Sequence, residues 1–252
     1  MAIIDIQHEG FTCYQVENIA VLKISKGTKK FFTSVGGKES LISTLQTIGG
    51  LKTIEGVAVI YSDNYAGSDE YRQLLSELLE KETISVKHFS NPFRLAISQL
   101  LNVIYSYPLP IICGMNGRIG PDSLGLSLAC DFRIATDRTI FFHDNLQLGL
   151  SPSAILSYYL VQGLGSSSAI ELLFTKTEFK PKELYDLRLI SKIVSAEELE
   201  SSCLQQLGAL TQIPRQVLVN ARRVLQPNID DVLKHIDACF ESSLRNMYET
   251  KT

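Results

Sequence analysis

The chain has 252 residues, 45% of them hydrophobic, which suits one large domain or one domain with a small appendage. Its formal net charge of -3, from 24 basic and 27 acidic residues, gives no basic footprint for nucleic acid or an anionic membrane surface. The sequence lacks a signal-peptide pattern and any run near the ~18 apolar residues of a membrane span. We therefore expect a soluble, cytoplasmic protein that binds neither nucleic acid nor membranes.

The predicted elements begin as an alternation of strands and helices. Residues 18–25 alternate apolar and polar side chains, whereas 56–62 and 109–117 are continuous apolar runs typical of strands buried on both faces. Helical spacing marks 38–50, which ends on two glycines, and 91–108, which begins with Asn-Pro and stops before a proline. This order predicts a parallel sheet covered by helices.

The second half of the chain is predicted to become increasingly helical. Residues 130–144 predict two short strands around a Thr-Asp-Arg turn, and 153–165 and 166–176 predict helices. From residue 180 onward the pattern is nearly all helical and ends in an amphipathic run over 214–248. We expect this helical end to form a separate layer or an assembly arm.

The cysteines and histidines give no sign of a metal site. They are far apart, the cysteine total is odd, and no C-x-x-C, H-x-x-x-H or H-E-x-x-H spacing occurs. We expect free, buried thiols and no bound metal. The residues are Cys13, Cys113, Cys130, Cys203 and Cys239, with His8, His88, His143 and His235.

Two loops rich in turn residues each join a buried strand to a helix. One contains Gly120-Pro121-Asp122-Ser123, and the other contains Ala66-Gly67-Ser68-Asp69. The first predicts a helix starting near Asp122 or Ser123, both good N-cap types. Because the first N–H groups of a helix lie at the positive end of its dipole, they could hold a carbonyl oxygen that gains negative charge. The alternative is a well-capped buried helix, and a phosphate-binding loop fits worse because its glycine-lysine motif is absent.

At these motifs the chain resembles the crotonase superfamily, the family of enoyl-CoA hydratases and isomerases. The resemblance spans roughly 56–195. It rests on Ala66-Gly67-x-Asp69, on LPIICGMNG at 109–117, on LACDFRIAT at 128–136, on LGLSP at 148–152, and on GLGSSSAIELLFT at 163–175 followed by LRLISKIV at 187–194.

The resemblance implies an α/β fold, a crotonase-type spiral of ββα repeats with a C-terminal helical trimerisation region. We accordingly expect a core over 1–195 and a helical region over 196–252. It also implies a homotrimer or hexamer that binds an acyl thioester of coenzyme A (CoA) or of an acyl carrier protein, with no further cofactor.

The resemblance assigns an oxyanion hole to the two loops. The amide donors would be Ala66 and Asp122, and Asp122 stands where the family has glycine. Its carboxylate would oppose a developing oxyanion unless it is turned away or neutralised. Substrate contacts are expected from Tyr65, Gly67, Asp69, Lys87, Ser123 and Gly125.

The acid-base residues depart from the family pattern. The positions of the two hydratase glutamates are Gly125 and Asn145, and neither is a carboxylate. Hydration needs a base that activates water and an acid that protonates carbon, so ordinary hydratase chemistry is disfavoured. His143 and Asp144 are further candidates for acid-base catalysis, or else they form only a turn between a strand and a helix. His235 is a candidate acid, or else it is a surface or interface residue.

A subgroup without both glutamates fits better. Enzymes that decarboxylate a glutaconyl-type thioester during β-branching of polyketides resemble this chain at Asp63-Asn64-Tyr65 and at the Gly-x-Ser-Pro of 149–152. That subgroup's Lys or Gln falls on Asp69, and its C-terminal histidine falls on Ile236, one residue beyond His235. Lys87 and His88 lie in the segment that roofs the acyl pocket in the family, or else in a solvated loop.

Three functions follow from these observations. The leading hypothesis is decarboxylation of an enoyl diacid thioester, because departing CO₂ supplies the electrons and no water needs activation. An atypical hydratase or isomerase could instead use His143, Asp144 or His235. A degenerate member of the family could bind a thioester or a partner without catalysis.

Overall fold

The computed structural model describes residues 4–25, 35–62, 73, 92–148 and 151–249. Ten strands occur within these ranges: β1 Asp5–Gln7, β2 Phe11–Val16, β3 Ile19–Ile24, β4 Gly56–Tyr61, β5 Ile111–Met115, β6 Arg118–Ile119, β7 Phe132–Thr136, β8 Ile140–Phe142, β9 Glu178–Phe179 and β10 Lys192–Val194. The described part also contains nine α-helices: α1 Val35–Gly50, α2 Pro92–Tyr105, α3 Pro121–Leu128, α4 Ala154–Leu164, α5 Ser166–Thr175, α6 Pro181–Asp186, α7 Leu199–Leu210, α8 Arg215–Leu225 and α9 Ile229–Glu249.

The main sheet has seven strands in the order β1-β2-β3-β4-β5-β7-β10. The β1–β2 and β2–β3 pairs are antiparallel, and every later pair is parallel. The predicted parallel arrangement of β3, β4 and β5 is therefore confirmed. The added antiparallel strands cover the outer edge of β3.

The helix-rich prediction for residues after 180 is wrong at β10. Arg188 adopts a left-handed backbone with φ of 59° after α6, and the β-branched run Lys192–Val194 then pairs in parallel with β7. The final amphipathic run is also two helices, because Pro227 cannot continue α8 and the chain restarts as α9. Gly165, with φ of 78°, separates α4 from α5 as the sequence predicts.

A second sheet of three short strands, in the order β6-β8-β9, lies beside the start of α3. The two strands predicted within 130–144 are present as β7 and β8, but they join different sheets. The β8–β9 pairing brings Phe141 opposite Phe179. Strand β8 of this small sheet ends at Phe142, directly before the candidate site residue His143.

Each face of the main sheet packs into its own hydrophobic core. On one face Leu22 of β3 lies in a cluster with Leu41 of α1 and Leu101 of α2. On the other face Val21 lies in a cluster with Leu207 of α7. Burial of each such side chain contributes about 1.5–3 kcal/mol, so the sheet is held firmly from both sides.

The last helix returns to the first part of the chain. Helix α9 contacts α4 and α2, with Val232 and Ile236 buried in the contact. The five cysteines, all within the described residues, are free, and four are buried, as predicted. Within the described residues, no helix combines the length and apolar character needed to cross a membrane.

Candidate active site

The turn between β5 and α3 is built from residues that each have a local task. Asn116 accepts a hydrogen bond at Oδ1 from the Thr136 hydroxyl at 2.8 Å, which ties the end of β5 to β7. Gly117 has φ of 79°, a conformation that favours glycine. Helix α3 begins at Pro121 with Gly120 as an extended N-cap, one or two residues before the predicted start.

Asp122 consequently lies in the first turn of α3 and is not its N-cap residue. Its carboxylate Oδ1 accepts a hydrogen bond of 2.6 Å from the Ser153 hydroxyl. Ser153 is the residue immediately before α4. The carboxylate is thereby directed toward the start of α4. Ser123, beside it, is buried.

Gly125 marks a close approach of α3 and α4. A Cβ at this position would lie 2.6 Å from Cγ2 of Ile155 and 2.8 Å from the backbone nitrogen of Leu156. The role of Gly125 as a substrate contact stays a prediction, and the side of this residue on which a Cβ would lie packs against α4. The structure therefore leaves no room at the first glutamate position for any side chain.

The second glutamate position, Asn145, is buried, and its Nδ2 donates a hydrogen bond of 3.1 Å to the Ser151 carbonyl. An amide that donates to a backbone carbonyl can orient a loop but cannot act as a general base near neutral pH. The adjacent Asp144 is also buried. Position 145, where the family has its second glutamate, thus lacks the carboxylate that hydration requires.

His143 is a buried histidine whose ring stacks on Phe179, with centroids 5.4 Å apart and planes 12° from parallel. Neither ring nitrogen makes a hydrogen bond of ordinary geometry within the described residues. Burial lowers the pKa of His143, and the Lys176 backbone and the Asp144 carboxylate act in the opposite direction. His143 is therefore neutral near pH 7.

His235 lies at the contact between α9 and α4. Its Nε2 is 3.1 Å from the Ser157 hydroxyl and 3.4 Å from the Cys239 sulfur. The ring also meets Tyr158 edge-on, with centroids 5.5 Å apart. Burial lowers the pKa of His235. Ser157 lies one turn beyond Ser153 on α4, so His235 and Asp122 contact the same face of that helix.

The other loop predicted for the site lies outside the described residues. The predicted site residues of this loop are Tyr65, Ala66, Gly67 and Asp69. Lys87 and His88, in the segment predicted to roof the acyl pocket, also lie outside the described residues. Of the predicted site residues, the structure brings Asp122, Ser123 and Gly125 together on α3, and it places His143, Asp144 and Asn145 in the segment after β8. Within the described part, no group of three or more potential metal ligands is found.

Ser153 is the contact that sequence reasoning missed. A serine directly before an apolar helical run marks a helix start in the sequence, but the Ser153 side chain makes no capping hydrogen bond to α4 and bonds Asp122 instead. Its partner on α3, however, lies 31 residues earlier and follows only from the packing of the two helices.

Asp131, in the LACDFRIAT motif, has a structural role. Its Oδ2 accepts a hydrogen bond from the Ile111 backbone at 2.7 Å, and its Oδ1 pairs with Arg222 Nε at 2.6 Å. Both side chains line a cleft of about 710 Å³ between β7, α4 and α8. This cleft is separate from the start of α3.

The two sheets, with helix α3 starting beside the smaller one and packing closely on α4, define an α/β protein. The family model for enoyl-CoA hydratase/isomerase matches residues 69–251. Residues 69–251 make up more than half of the chain. The chain therefore belongs to the enoyl-CoA hydratase/isomerase family.

Curated relatives agree with this family. The 4-chlorobenzoyl coenzyme A dehalogenase-2 of an Arthrobacter species is 21% identical over 234 residues, which cover 92% of this chain and 82% of that protein. The probable enoyl-CoA hydratase EchA12 of Mycobacterium tuberculosis is 30% identical over 122 residues, 48% of this chain and 43% of that protein.

Solved structures share the fold. The enoyl-CoA hydratase from Bacillus halodurans matches with a TM-score of 0.80 and 18% identity, over 94% of this chain and 95% of that one. A putative enoyl-CoA hydratase/isomerase from Acinetobacter baumannii matches with a TM-score of 0.76 and 20% identity, over 96% and 94%. The predicted α/β fold is thus confirmed.

Proposed function

We propose that this protein is a decarboxylase that converts an enoyl diacid thioester, of the glutaconyl type, into the shortened enoyl thioester and CO₂. The observation that carries the proposal is the α3–α4 contact at Gly125, where a Cβ would lie 2.6 Å from Ile155. The first glutamate position of the family is Gly125, which has no room for a side chain, and the second is Asn145. The pair of carboxylates that activates water is therefore missing. The reaction must therefore need fewer acid-base groups than hydration.

Decarboxylation meets this requirement. The carbon–carbon bond to the substrate carboxylate breaks, and its electron pair moves through the conjugated chain onto the thioester oxygen as CO₂ leaves. The resulting dienolate then takes up one proton at carbon. The protein needs only to stabilise the oxyanion and to supply that proton.

The start of α3 supports the first task. The amide of Asp122, in the first helical turn, is the proposed donor to the thioester oxygen, together with the amide of Ala66. The Asp122 carboxylate is hydrogen-bonded to Ser153, which directs its negative charge to α4. Removal of one oxyanion-hole donor typically costs about 10²–10³ in turnover.

His235 is our candidate for the second task. It contacts the same face of α4 as Asp122 does, through Ser157, and an imidazole titrates in the range suited to proton transfer near neutral pH. His143 and Asp144 remain the competing candidates, because both are buried in the segment beside the small sheet. Substitution of each by glutamine or asparagine distinguishes them.

The proposed acyl carrier is CoA. Curated relatives are named as acting on a coenzyme A ester or as an enoyl-CoA hydratase, which supports CoA over an acyl carrier protein. The sequence resemblance to polyketide β-branching enzymes favours the carrier protein. Parallel assays with the two thioesters of one acyl group decide between them.

The direct test is incubation with 3-methylglutaconyl-CoA and measurement of released CO₂. We expect turnover by the wild type and by Ser202→Ala, a control in α7 on the opposite face of the sheet. We expect a loss of at least tenfold in His235→Gln. Exchange of the α-proton with deuterium oxide and no CO₂ would favour an isomerase, and tight binding with neither reaction would favour a non-catalytic binder.

We also propose that the chain assembles as a homotrimer, alone or paired into a hexamer. The support is helix α8, where Val224 and Leu225 are each 82% exposed and Val217 is 55% exposed. Adjacent large apolar side chains with this exposure are typical of an interaction surface. The family resemblance assigns the C-terminal helices to assembly.

A further inference from the structure

Ser153 and Asp122 connect the starts of two helices. The Ser153 side chain is buried, directly precedes α4 and donates its hydroxyl proton to the Asp122 carboxylate in the first turn of α3. The 2.6 Å separation of the two oxygen atoms is typical of a charge-assisted hydrogen bond. The pair therefore fixes the direction of a carboxylate that lies beside the proposed oxyanion hole.

The direction of this carboxylate has an electrostatic consequence. The backbone amides at the start of α3 favour negative charge on a ligand, and a negative side chain in the same turn opposes it. An aspartate that rotated toward the α3 axis would compete with the thioester oxygen for these amides. An aspartate held toward α4 is instead stabilised by the N-terminal end of that helix.

We propose that Ser153 is a positioning residue for the thioester oxyanion hole. Its hydroxyl holds the Asp122 carboxylate against the start of α4, so that this carboxylate does not compete with the substrate carbonyl for the α3 amides. Ser153 acts through Asp122 and does not touch the reacting atoms. This inference rests on the oxyanion hole of the proposed function, but not on decarboxylation.

A purely structural role at the start of α4 makes a different prediction. If Ser153 only stabilised α4, Ser153→Ala would change the carbonyl band and the affinity of the probe equally whether or not position 122 carried a charge. If Ser153 restrains the carboxylate, removal of that carboxylate must restore the site in the Ser153 variant. The two roles therefore separate in a double-mutant comparison.

The experiment uses butyryl-CoA labelled with ¹³C at the thioester carbonyl, which has no carboxylate to lose. Infrared difference spectra of the bound probe report the polarisation of its carbonyl, and calorimetry gives its affinity. The variants are Ser153→Ala, Ser153→Thr, Asp122→Gly and the double variant Ser153→Ala/Asp122→Gly. Ser202→Ala is the matched control, since Ser202 is 8% exposed and Ser153 is 6% exposed.

We expect the wild type and Ser202→Ala to shift the carbonyl band to lower wavenumber. Ser153→Ala should lose most of this shift and bind the probe at least fivefold more weakly. Ser153→Thr, which keeps the hydroxyl, and the double variant should recover both. Circular dichroism spectra verify that each variant is folded.

Two outcomes overturn the inference for different reasons. An unchanged band in Ser153→Ala, or a double variant no better than Ser153→Ala, refutes the positioning role alone. Absence of any band shift in the wild type refutes the oxyanion hole itself, and with it the proposed function. A shifted band without CO₂ release from 3-methylglutaconyl-CoA refutes decarboxylation but leaves the role of Ser153 intact.

Discussion

Arg222 in α8 and Asp131, directly before β7, form an ion pair across 91 residues of sequence, with Nε and Oδ1 2.6 Å apart. Arg222 also donates through Nη1 to the carbonyls of Tyr107 and Leu109, at 2.6 and 3.0 Å. Its side chain is 10% exposed and that of Asp131 is 16% exposed. This pair joins the C-terminal helices to the beginning of the central strands.

Replacement of Arg222 by methionine should destabilise the fold strongly. It would leave the Asp131 carboxylate largely buried without its cation, and such a loss costs about 3–5 kcal/mol. Urea unfolding followed by circular dichroism measures the free energy of unfolding. The neighbouring Arg223 is exposed, so Arg223→Met should change it by less than about 0.5 kcal/mol. Equal effects of the two substitutions would contradict a structural role for the pair.

Introduction of a side chain at Gly125 should not restore hydratase activity. In Gly125→Ala the new Cβ meets Ile155 and the Leu156 backbone, and overpacking of this kind costs about 1–3 kcal/mol or more. Gly125→Glu should be worse and should hydrate crotonyl-CoA no faster than the wild type. Gly208→Ala is the control, since nothing lies within 4 Å of its Cβ position and α7 gains helix propensity. A stable, hydrating Gly125→Glu protein would overturn the proposed reason for the lost chemistry.

These two contacts show what the sequence could and could not supply. Strands β3, β4 and β5 were predictable because apolar runs between turn residues carry a local signal. The sequence predicts the start of α3 one or two residues late, because Asp122 and Ser123 are good N-cap types whereas the helix begins at Pro121. The fit of Gly125 against Ile155 depends on the distance between two helices, a quantity that no local pattern encodes.

Stability should fall in mild alkali, in part because of Cys203. Burial raises the pKa of this thiol from an ordinary value of 9.0 to about 12. Above pH 9 the unfolded chain loses a proton that the folded protein keeps, so stability falls as pH rises toward 12. Removal of the thiol in Cys203→Ala should flatten the dependence by up to about 1.4 kcal/mol per pH unit between pH 9 and 10.5. Urea midpoints measured across this range test the difference in slope, and parallel curves would contradict it.

Acid should loosen the contact between α9 and α4. Burial lowers the pKa of His235 below its ordinary value of 6.5, so the unfolded chain takes up this proton before the folded protein does. The contribution of His235 to the free energy of unfolding is therefore complete above pH 6.5 and falls as pH drops below that value. His235→Gln should be less acid-sensitive than the wild type between pH 6.5 and 5, as measured by thermal unfolding at each pH. Identical acid sensitivity would show that another group controls the response.

Helix α8 provides the test of assembly. Double substitution Val224→Glu/Leu225→Glu places two charges on side chains that are each 82% exposed, so the folded monomer should tolerate it. We expect light scattering to give a trimer or hexamer for the wild type and a smaller species for the variant. Lys176→Gln/Lys182→Gln, on exposed positions outside α8, makes the net charge more negative by the same amount and controls for that change. A monomeric wild type would refute the proposed interface.

The pairing of Arg222 with Asp131 has a further consequence for how the chain acquires its structure on the ribosome. The carboxylate is synthesised 91 residues before the guanidinium that compensates it. Until that guanidinium emerges, nascent β5 and β7 can dock only with an unbalanced charge between them, which penalises premature closure. Completion of this part of the fold is thereby coupled to delivery of helix α8, which carries Arg222.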